Sequence, residues 1–383
     1  MQNKIPYGRQ EINDKDIKSV VEVLKSDFLT QGLKVEEFEN KFAAYIGSKY
    51  AVSVSNGTAA LHIAALSLGV KKGTKVITSP ISFVATSNCI EFCGGEITFC
   101  DIDPETLCID IKALKKILEG SPKGTYQGLI PVDFAGYPVQ MDEIRSLAND
   151  YDLWILEDSC HAPGGYFVDN EDLNQNCGNG SYADAAIFSF HPVKHIACGE
   201  GGMVTTNNEK IYEKLKLLRS HGITRDLSKL NNNHGGWYYE MQILGFNYRL
   251  SDIQCALGIS QLERAHENIE KRRQIAKNYF KFLKELPIEI PQANYIEGHA
   301  FHLFVILVKD RLELYNFLKK MNILAQVHYI PIHKMPYYED KYGEQKFENA
   351  ELYYQKCISL PIYPSLEEKN QRYIIKTIKK FYE

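Results

Sequence analysis

Lys194 and Asp158 are the two residues whose surroundings in the chain ask for a chemical explanation. Lys194 lies in FSFHPVKHIACGEGG, Phe188 to Gly202, where its sequence neighbours are Phe188, Phe190, Pro192, Val193, Ile196 and Ala197. Taking a lysine out of water penalises its ammonium form, lowers its pKa and leaves a nucleophilic amine, the state needed to condense with a carbonyl. A lysine that snorkels along apolar surface to reach solvent would have the same neighbours. Asp158 follows Glu157 at the end of LWILED. An acid at the carboxyl end of a buried strand is either a ligand contact or a paired structural carboxylate. His161 lies just beyond, as a core histidine or a ligand contact. Ser189 stands next to last in AAIFSF, five residues before Lys194, as a turn serine or an anion-binding hydroxyl. In SNGTAA, Ser55–Ala60, Gly57 lets backbone approach a ligand, and the amides that open a helix there favour a phosphate, with Thr58 adding a hydroxyl. An ordinary helix cap leaves the same signature.

The conjunction is more specific than its parts. A lysine for an aldehyde, an acid for a ring nitrogen and an anion cradle for a phosphate are the set that pyridoxal phosphate requires. A metal site or a Ser-His-Asp triad explains fewer of these residues, and no G-x-S-x-G elbow is present. Nine cysteines are scattered without C-x-x-C units, so no metal site is expected.

These residues need a scaffold that brings strand ends together. YAVSVS, KVITS, EITFCDID, QGLIPVDF, LWILED, DAAIFSF and GMVTT read as short buried strands, most of them separated by helical segments. That alternation predicts an α/β fold with a mostly parallel seven-stranded sheet covered on both faces, and ligands outside the carboxyl ends of its strands. Ahead of the sheet, Asn13 caps a helix whose Ile17, Val20, Val21 and Leu24 share a face, and Gly47 ends a second helix with Val35, Phe38, Phe42, Tyr45 and Ile46 turned inward. One long helix is predicted from Ser251 to about Leu286. Beyond it LFVILV and LAQVHY read as strands among helices near Arg311–Met321 and Asn349–Ile358. The reading is a large domain over residues 1–255, with its N-terminal segment contributing to the substrate pocket, and a small α+β domain over 256–383. Two long polar loops, Asp169–Tyr182 and Thr224–Gly236, are candidate lids or mobile insertions.

Composition narrows the class. The chain has 383 residues, 24% charged and 44% hydrophobic, with a net charge of -4. This is ordinary globular composition with no basic excess for nucleic acid or anionic membrane. The polar N-terminus MQNKIPYGRQ, the lack of a long apolar run and the odd cysteine count lead us to expect a cytoplasmic protein.

SNGTAALHIA, SPISFVATSN, EDSCHAPGG, FSFHPVKHIACGEGGMVTTN, LRSHGI and LGFNYRLSDIQCALGISQL, in that order over nearly the whole chain, resemble the DegT/DnrJ-type nucleotide-sugar aminotransferases of pyridoxal-phosphate fold type I. The resemblance implies that Lys194 binds the cofactor aldehyde covalently and that Asp158 faces the ring nitrogen. It assigns the phosphate to Gly57, Thr58 and Ser189, a ring contact to Phe83, and a place near the phenolic oxygen to His161. Asn247 is implied to reach the phosphate of the neighbouring subunit, which makes the expected assembly a homodimer with shared sites. Tyr7, Asp27, Phe28, Leu29, Thr30, Gln326, Val327, His328 and Tyr329 are implied to line the substrate pocket, though QVHY also fits an inner strand. The implied partners are a UDP-linked 4-keto-6-deoxy sugar and L-glutamate. Two departures stand out: SC follows Asp158 where many relatives carry small alanine-like residues, and the Asp169–Tyr182 loop is longer than the family's usual hairpin. In sugar dehydratases of the same fold a histidine replaces the lysine, and His195 is adjacent.

Overall fold

Each of the seven apolar runs becomes a strand of one sheet. In the computed structural model, which describes residues 4–383, they are β1 (Tyr50–Val54), β2 (Lys75–Thr78), β3 (Glu96–Phe99), β4 (Gly128–Ile130), β5 (Trp154–Asp158), β6 (Ala185–Ser189) and β7 (Gly202–Thr206). The first three residues of the polar opening stretch lie outside the described residues. The spatial order is β1-β7-β6-β5-β4-β2-β3. Only β7 runs antiparallel to its neighbours, and the other pairings are parallel. Consecutive residues go to opposite faces. Ile77, Leu129 and Ile155 enter one apolar cluster, while Val76, Ile130 and Leu156 enter another across the sheet. Burial on both faces explains why these strands read as continuous apolar runs. Among the described residues no helix is long and apolar enough to cross a membrane.

Three local expectations are corrected. The helix of Asp14–Leu24 has the predicted Asn13 cap, with Asp16 completing a capping box. Its apolar stripe, however, faces outward: Ile17 is 54% and Leu24 55% exposed. Asp16 faces inward instead, in an ion pair of 2.6 Å with Arg264. That buried pair, rather than the apolar stripe, sets how the helix is rotated. The same arginine ends the expected long helix. Asp252–Leu262 and Ala265–Leu283 are separate helices, and Arg264 between them leaves helical geometry while its guanidinium reaches Asp16 and the Glu11 carbonyl. Finally, LAQVHY is not a strand beyond Ile323–Leu324, which pairs in parallel with Ile5–Pro6. Gln326 makes a single bridge to Ser359. At His328 the ladder gives way to side chains, with the Tyr353 hydroxyl donating to its carbonyl at 2.5 Å and Ser359 Oγ 2.9 Å from its Nδ1.

The pairing of Ile5–Pro6 matters for the site because it carries Tyr7 to the strand ends, where its ring lies 5.0 Å from that of His328. Ile5 joins the apolar cluster of Ile275, Tyr279, Phe304, Ile358 and Ile374, so the N-terminal strand packs with C-terminal elements. The Asp169–Tyr182 loop is internally folded. Asp169 accepts hydrogen bonds from the amides of Glu171 and Leu173 and from the side chains of Gln175 and Tyr182, closing a small hairpin, Tyr166–Val168 with Asn174–Asn176.

Candidate active site

The carboxyl ends of β1, β2, β5 and β6 open onto a cavity of about 670 Å³. It brings together Tyr7, Gly57, Thr58, Phe83, Asp158, His161, Ser189, Lys194, His328 and Tyr329, residues from six separate stretches of the sequence. Asp27–Thr30, Asn247, Gln326 and Val327 do not line it. Asp27–Thr30, Asn247 and Gln326 are exposed, with Thr30 bridged to Ser251 and Asn247 to Ser220. Val327 packs into the core. Phe83 lies just ahead of the helix of Ala85–Phe92, and at 56% exposure it is available to a ligand.

Asp158 is only 4% exposed and makes no ion pair among the described residues. Thr86 Oγ1 donates to one carboxylate oxygen at 2.7 Å, and the Cys160 amide donates to the other at 3.2 Å. Because Thr86 gives its only proton to Asp158, the Ser82 hydroxyl 2.7 Å away must donate to Thr86. A buried carboxylate without a cation calls for a proton-bearing partner, and a protonated ring nitrogen supplies one. Neither Ser82 nor Thr86 was picked out from the sequence, where nothing marks a threonine in a helix's first turn as a carboxylate partner. Thr86→Val is expected to leave a buried carboxylate oxygen short of a donor and to lower stability by about 2 kcal/mol. Urea unfolding of the cofactor-free protein checks it.

Glu157 faces away from Asp158 and serves structure. Ser159 Oγ lies 2.8 Å from Asp133 and 3.0 Å from Glu157, and the Gly178 amide also donates to Glu157. One hydroxyl proton cannot satisfy both carboxylates, so the pair holds a proton of its own. Burial, then the neighbouring Asp133 charge, pushes Glu157 well above the carboxylate range, and burial raises Asp133 to about 6. Cys177 completes a group of three ligand-type atoms within 4.8 Å, but burial keeps its thiol protonated. The folded state binds more protons than the unfolded chain once pH exceeds about 4, so the pair's contribution to stability falls as pH rises through about 6. Glu157→Gln keeps an oxygen for Ser159 and Gly178 and adds an N–H for Asp133. It is expected to be more stable than the unsubstituted protein at pH 8 and to flatten the decline between pH 4 and 8 in urea-unfolding series.

At the phosphate end, Asn56 caps the helix of Gly57–Ser67 by accepting from the Ala59 amide at 2.8 Å. The first-turn amides of Gly57 and Thr58 lack intrahelical acceptors and are open to an anion. A Cβ on Gly57 would lie 3.0 Å from Ser189 Cβ, so only glycine leaves that cradle clear.

Lys194 is half-buried, and its surroundings differ from those its sequence neighbours suggested. Phe188, Phe190 and Ile196 turn to the other side, into a cluster with Phe38 and Phe42. The amine instead meets His302 Nε2 at 3.4 Å, and burial lowers the lysine's pKa. The sequence reading missed His302, since HAFHLF holds two histidines and no spacing that separates them. His195 does not line the cavity; its Nε2–H donates to the Ala300 carbonyl at 2.8 Å. His161 does line it. The Ala135 amide donates to His161 Nδ1 at 3.2 Å, which fixes the ring proton on Nε2, 3.4 Å from the Tyr329 hydroxyl. Ala135 holds φ 61° and Gly136 φ 97°, a tight turn that aims this amide. Burial, then the charge of Lys194, keeps His161 neutral. The residues present therefore fit pyridoxal phosphate at each of its ends.

Comparison with known proteins adds an independent line. The family model described as the DegT/DnrJ/EryC1/StrS aminotransferase family matches residues 10–379. An uncharacterized protein, MJ1066 of Methanocaldococcus jannaschii, is 40% identical over 385 residues, covering 98% of this chain and 97% of its own. The UDP-4-amino-4,6-dideoxy-N-acetyl-beta-L-altrosamine transaminase of Campylobacter jejuni is 36% identical over 380 residues, with 98% and 96% covered. Among solved structures, Helicobacter pylori PseC, an aminotransferase involved in the biosynthesis of pseudoaminic acid, superposes with a TM-score of 0.89 at 31% identity, covering 99% of both chains. The PLP-form of the putative sugar aminotransferase Spr1654 from Streptococcus pneumoniae gives 0.87 at 26% identity, covering 98% of both.

Proposed function

The chain belongs to the DegT/DnrJ/EryC1/StrS aminotransferase family, as a sugar aminotransferase that uses pyridoxal phosphate, and from that premise we propose its substrates. The amino group passes from L-glutamate to the 4-keto carbon of a UDP-linked 4-keto-6-deoxy-N-acetyl-hexosamine. The product is UDP-4-amino-4,6-dideoxy-N-acetyl-β-L-altrosamine, on the route to pseudaminic acid. The names of the Campylobacter relative and of the Helicobacter structure support this acceptor. The observation that carries the chemistry is the meeting of Lys194 with an unpaired, buried Asp158 in one cavity.

When bound, pyridoxal phosphate supplies an aldehyde carbon that exchanges amines and a ring that accepts the electron pair released at the donor's α-carbon. Asp158 holds the proton on the ring nitrogen, with Thr86 and the Cys160 amide fixing its two oxygens. Lys194 Nζ takes the proton leaving the α-carbon and returns it later. His161 Nε2–H is the donor for the phenolic oxygen. Gly57, Thr58 and Ser189 would hold the phosphate, and Phe83 would pack against the ring. Tyr7 from the N-terminal segment and His328 and Tyr329 beside it would contact the sugar.

We also propose that the working unit is a homodimer. Asn247 and Asp27–Thr30 lie outside the cavity of their own chain and would serve the partner's. Exposed apolar residues accompany both stretches: Leu33 is 82% and Leu244 79% exposed. All nine cysteines are free, as the proposed cytoplasmic location would keep them. Incubation with UDP-4-keto-6-deoxy sugars and glutamate, with NMR of the product, tests the reading. A 4-amino sugar of altro configuration is expected; a different configuration would shift the assignment to another nucleotide-linked 4-keto-6-deoxy sugar, and a deoxygenated sugar would overturn the aminotransferase reaction.

A further inference from the structure

We infer that His302 is a positioning residue for Lys194: its neutral imidazole accepts a hydrogen bond from the lysine amine at Nε2 and so aims that amine into the cavity. The inference rests on Lys194 being the reactive lysine. Its Nζ lies 3.4 Å from His302 Nε2, and His302 Nδ1 is buried without a partner among the described residues.

The histidine is held from all sides. Its ring is 5% exposed and lies over that of His161, with centroids 4.3 Å apart at 37°. On either side of it, the Ala300 amide donates to the Gly136 carbonyl at 2.8 Å and the Leu303 amide to the Ala135 carbonyl at 3.1 Å. His195 fastens the Ala300 carbonyl, and His299 Nδ1 accepts from the Phe301 amide at 2.9 Å. Arg272, buried with no carboxylate partner among the described residues, donates to the carbonyls of Phe301 and Ile362 at 3.1 and 3.0 Å. Phe301 itself holds φ 46°, a region that L side chains avoid and that persists only where surroundings impose it. This constraint falls on the residue before the one that meets the lysine, and it sets the direction in which the His302 side chain leaves the backbone. The turn that fixes the His161 tautomer, Ala135–Gly136, is the same one that anchors this segment.

The charged and titratable groups around the amine decide which partner donates. Arg272, His161 and His328 share its surroundings with His302, and Asp158 and Cys160 lie on the strand side. Burial, then the charge of Lys194, keeps His302 neutral. A neutral imidazole has one N–H and one bare nitrogen, and an ammonium can only donate, so in the inferred arrangement the nitrogen that meets Lys194, Nε2, is the bare one.

The test uses the full-length protein freed of cofactor. It is acetylated with acetic anhydride across a pH series, and Lys194 is followed by peptide mass spectrometry. An acceptor on the ammonium form favours that form. His302→Phe, which keeps a stacking ring without an acceptor, is therefore expected to lower the pH midpoint of Lys194 acetylation by roughly half a unit. It is also expected to slow the rise of the visible band on adding pyridoxal phosphate about tenfold. His302→Gln, which restores an acceptor near the Nε2 position, should recover both. An unchanged midpoint and rate in His302→Phe, or no recovery in His302→Gln, would overturn the inference. Should the Phe variant fold poorly, nitrogen NMR of the unsubstituted protein decides: an unprotonated His302 Nε2 supports the role and a protonated one ends it. If borohydride marks a different lysine in the cofactor-loaded protein, the Lys194 assignment fails. If it marks Lys194 and the midpoint does not move, only the His302 inference fails.

Discussion

Lys194→Ala should abolish the visible absorbance of the cofactor-loaded protein and lower kcat by about 10⁴-fold, at the upper end of what a positioned proton-transfer group contributes. No other residue of the cavity replaces it. Burial keeps His161 and His328 neutral, and both are already engaged: His161 Nδ1 receives the Ala135 amide, and His328 Nδ1 lies 2.9 Å from Ser359 Oγ. The variant retains Gly57, Thr58, Ser189 and Asp158, so it is expected to bind the cofactor reversibly, and dialysis should remove it faster than from the unsubstituted protein. Single-turnover absorbance and kcat with glutamate provide the check. Retained visible absorbance would mean another amine holds the cofactor.

Asp158→Asn is expected to leave cofactor binding nearly intact and to lower kcat by about 10³-fold. The amide can still accept from Thr86 or the Cys160 amide, so the local packing survives, but the charge that holds a proton on the ring nitrogen is gone. A fall of about three units in that nitrogen's pKa corresponds to about 4 kcal/mol, which is roughly 10³ in rate if the electron-accepting ability of the ring is lost in proportion. Steady-state kinetics beside a cofactor titration separates the two effects. A near-normal kcat would remove Asp158 from the chemistry.

How much of this was legible in the sequence depended on whether the determinant was local. The strands were legible because parallel strands covered on both faces read as unbroken apolar runs, and stretches such as WILED or AAIFS, polar only at their carboxyl ends, admit few other readings. Gly57, Asp158, Ser189 and Lys194 were legible because each sits at or just beyond a strand end, where open sheets bind ligands. What escaped was set by partners far away in the chain. The rotation of the Asp14–Leu24 helix and the break before Ala265–Leu283 both follow from Asp16 meeting Arg264, and no periodicity encodes a contact between residues so distant. The QVHY segment alternates like a strand yet is diverted by Ser359 and Tyr353. Thr86 and His302 act through one hydrogen bond each, to Asp158 and Lys194, from elements that their own neighbours in sequence do not identify. The environment of Lys194 is the clearest example. Its aromatic sequence neighbours belong to a different cluster, and its actual company is histidine contributed by distant segments.

The most direct measurement is borohydride reduction of the pyridoxal-phosphate-loaded protein, followed by proteolysis and mass spectrometry of the labelled peptide. The expected result is a single phosphopyridoxyl group on Lys194, in the peptide that spans Phe188–Gly202. A label on any other lysine, or none where the visible absorbance was present before reduction, would contradict the assignment of the site.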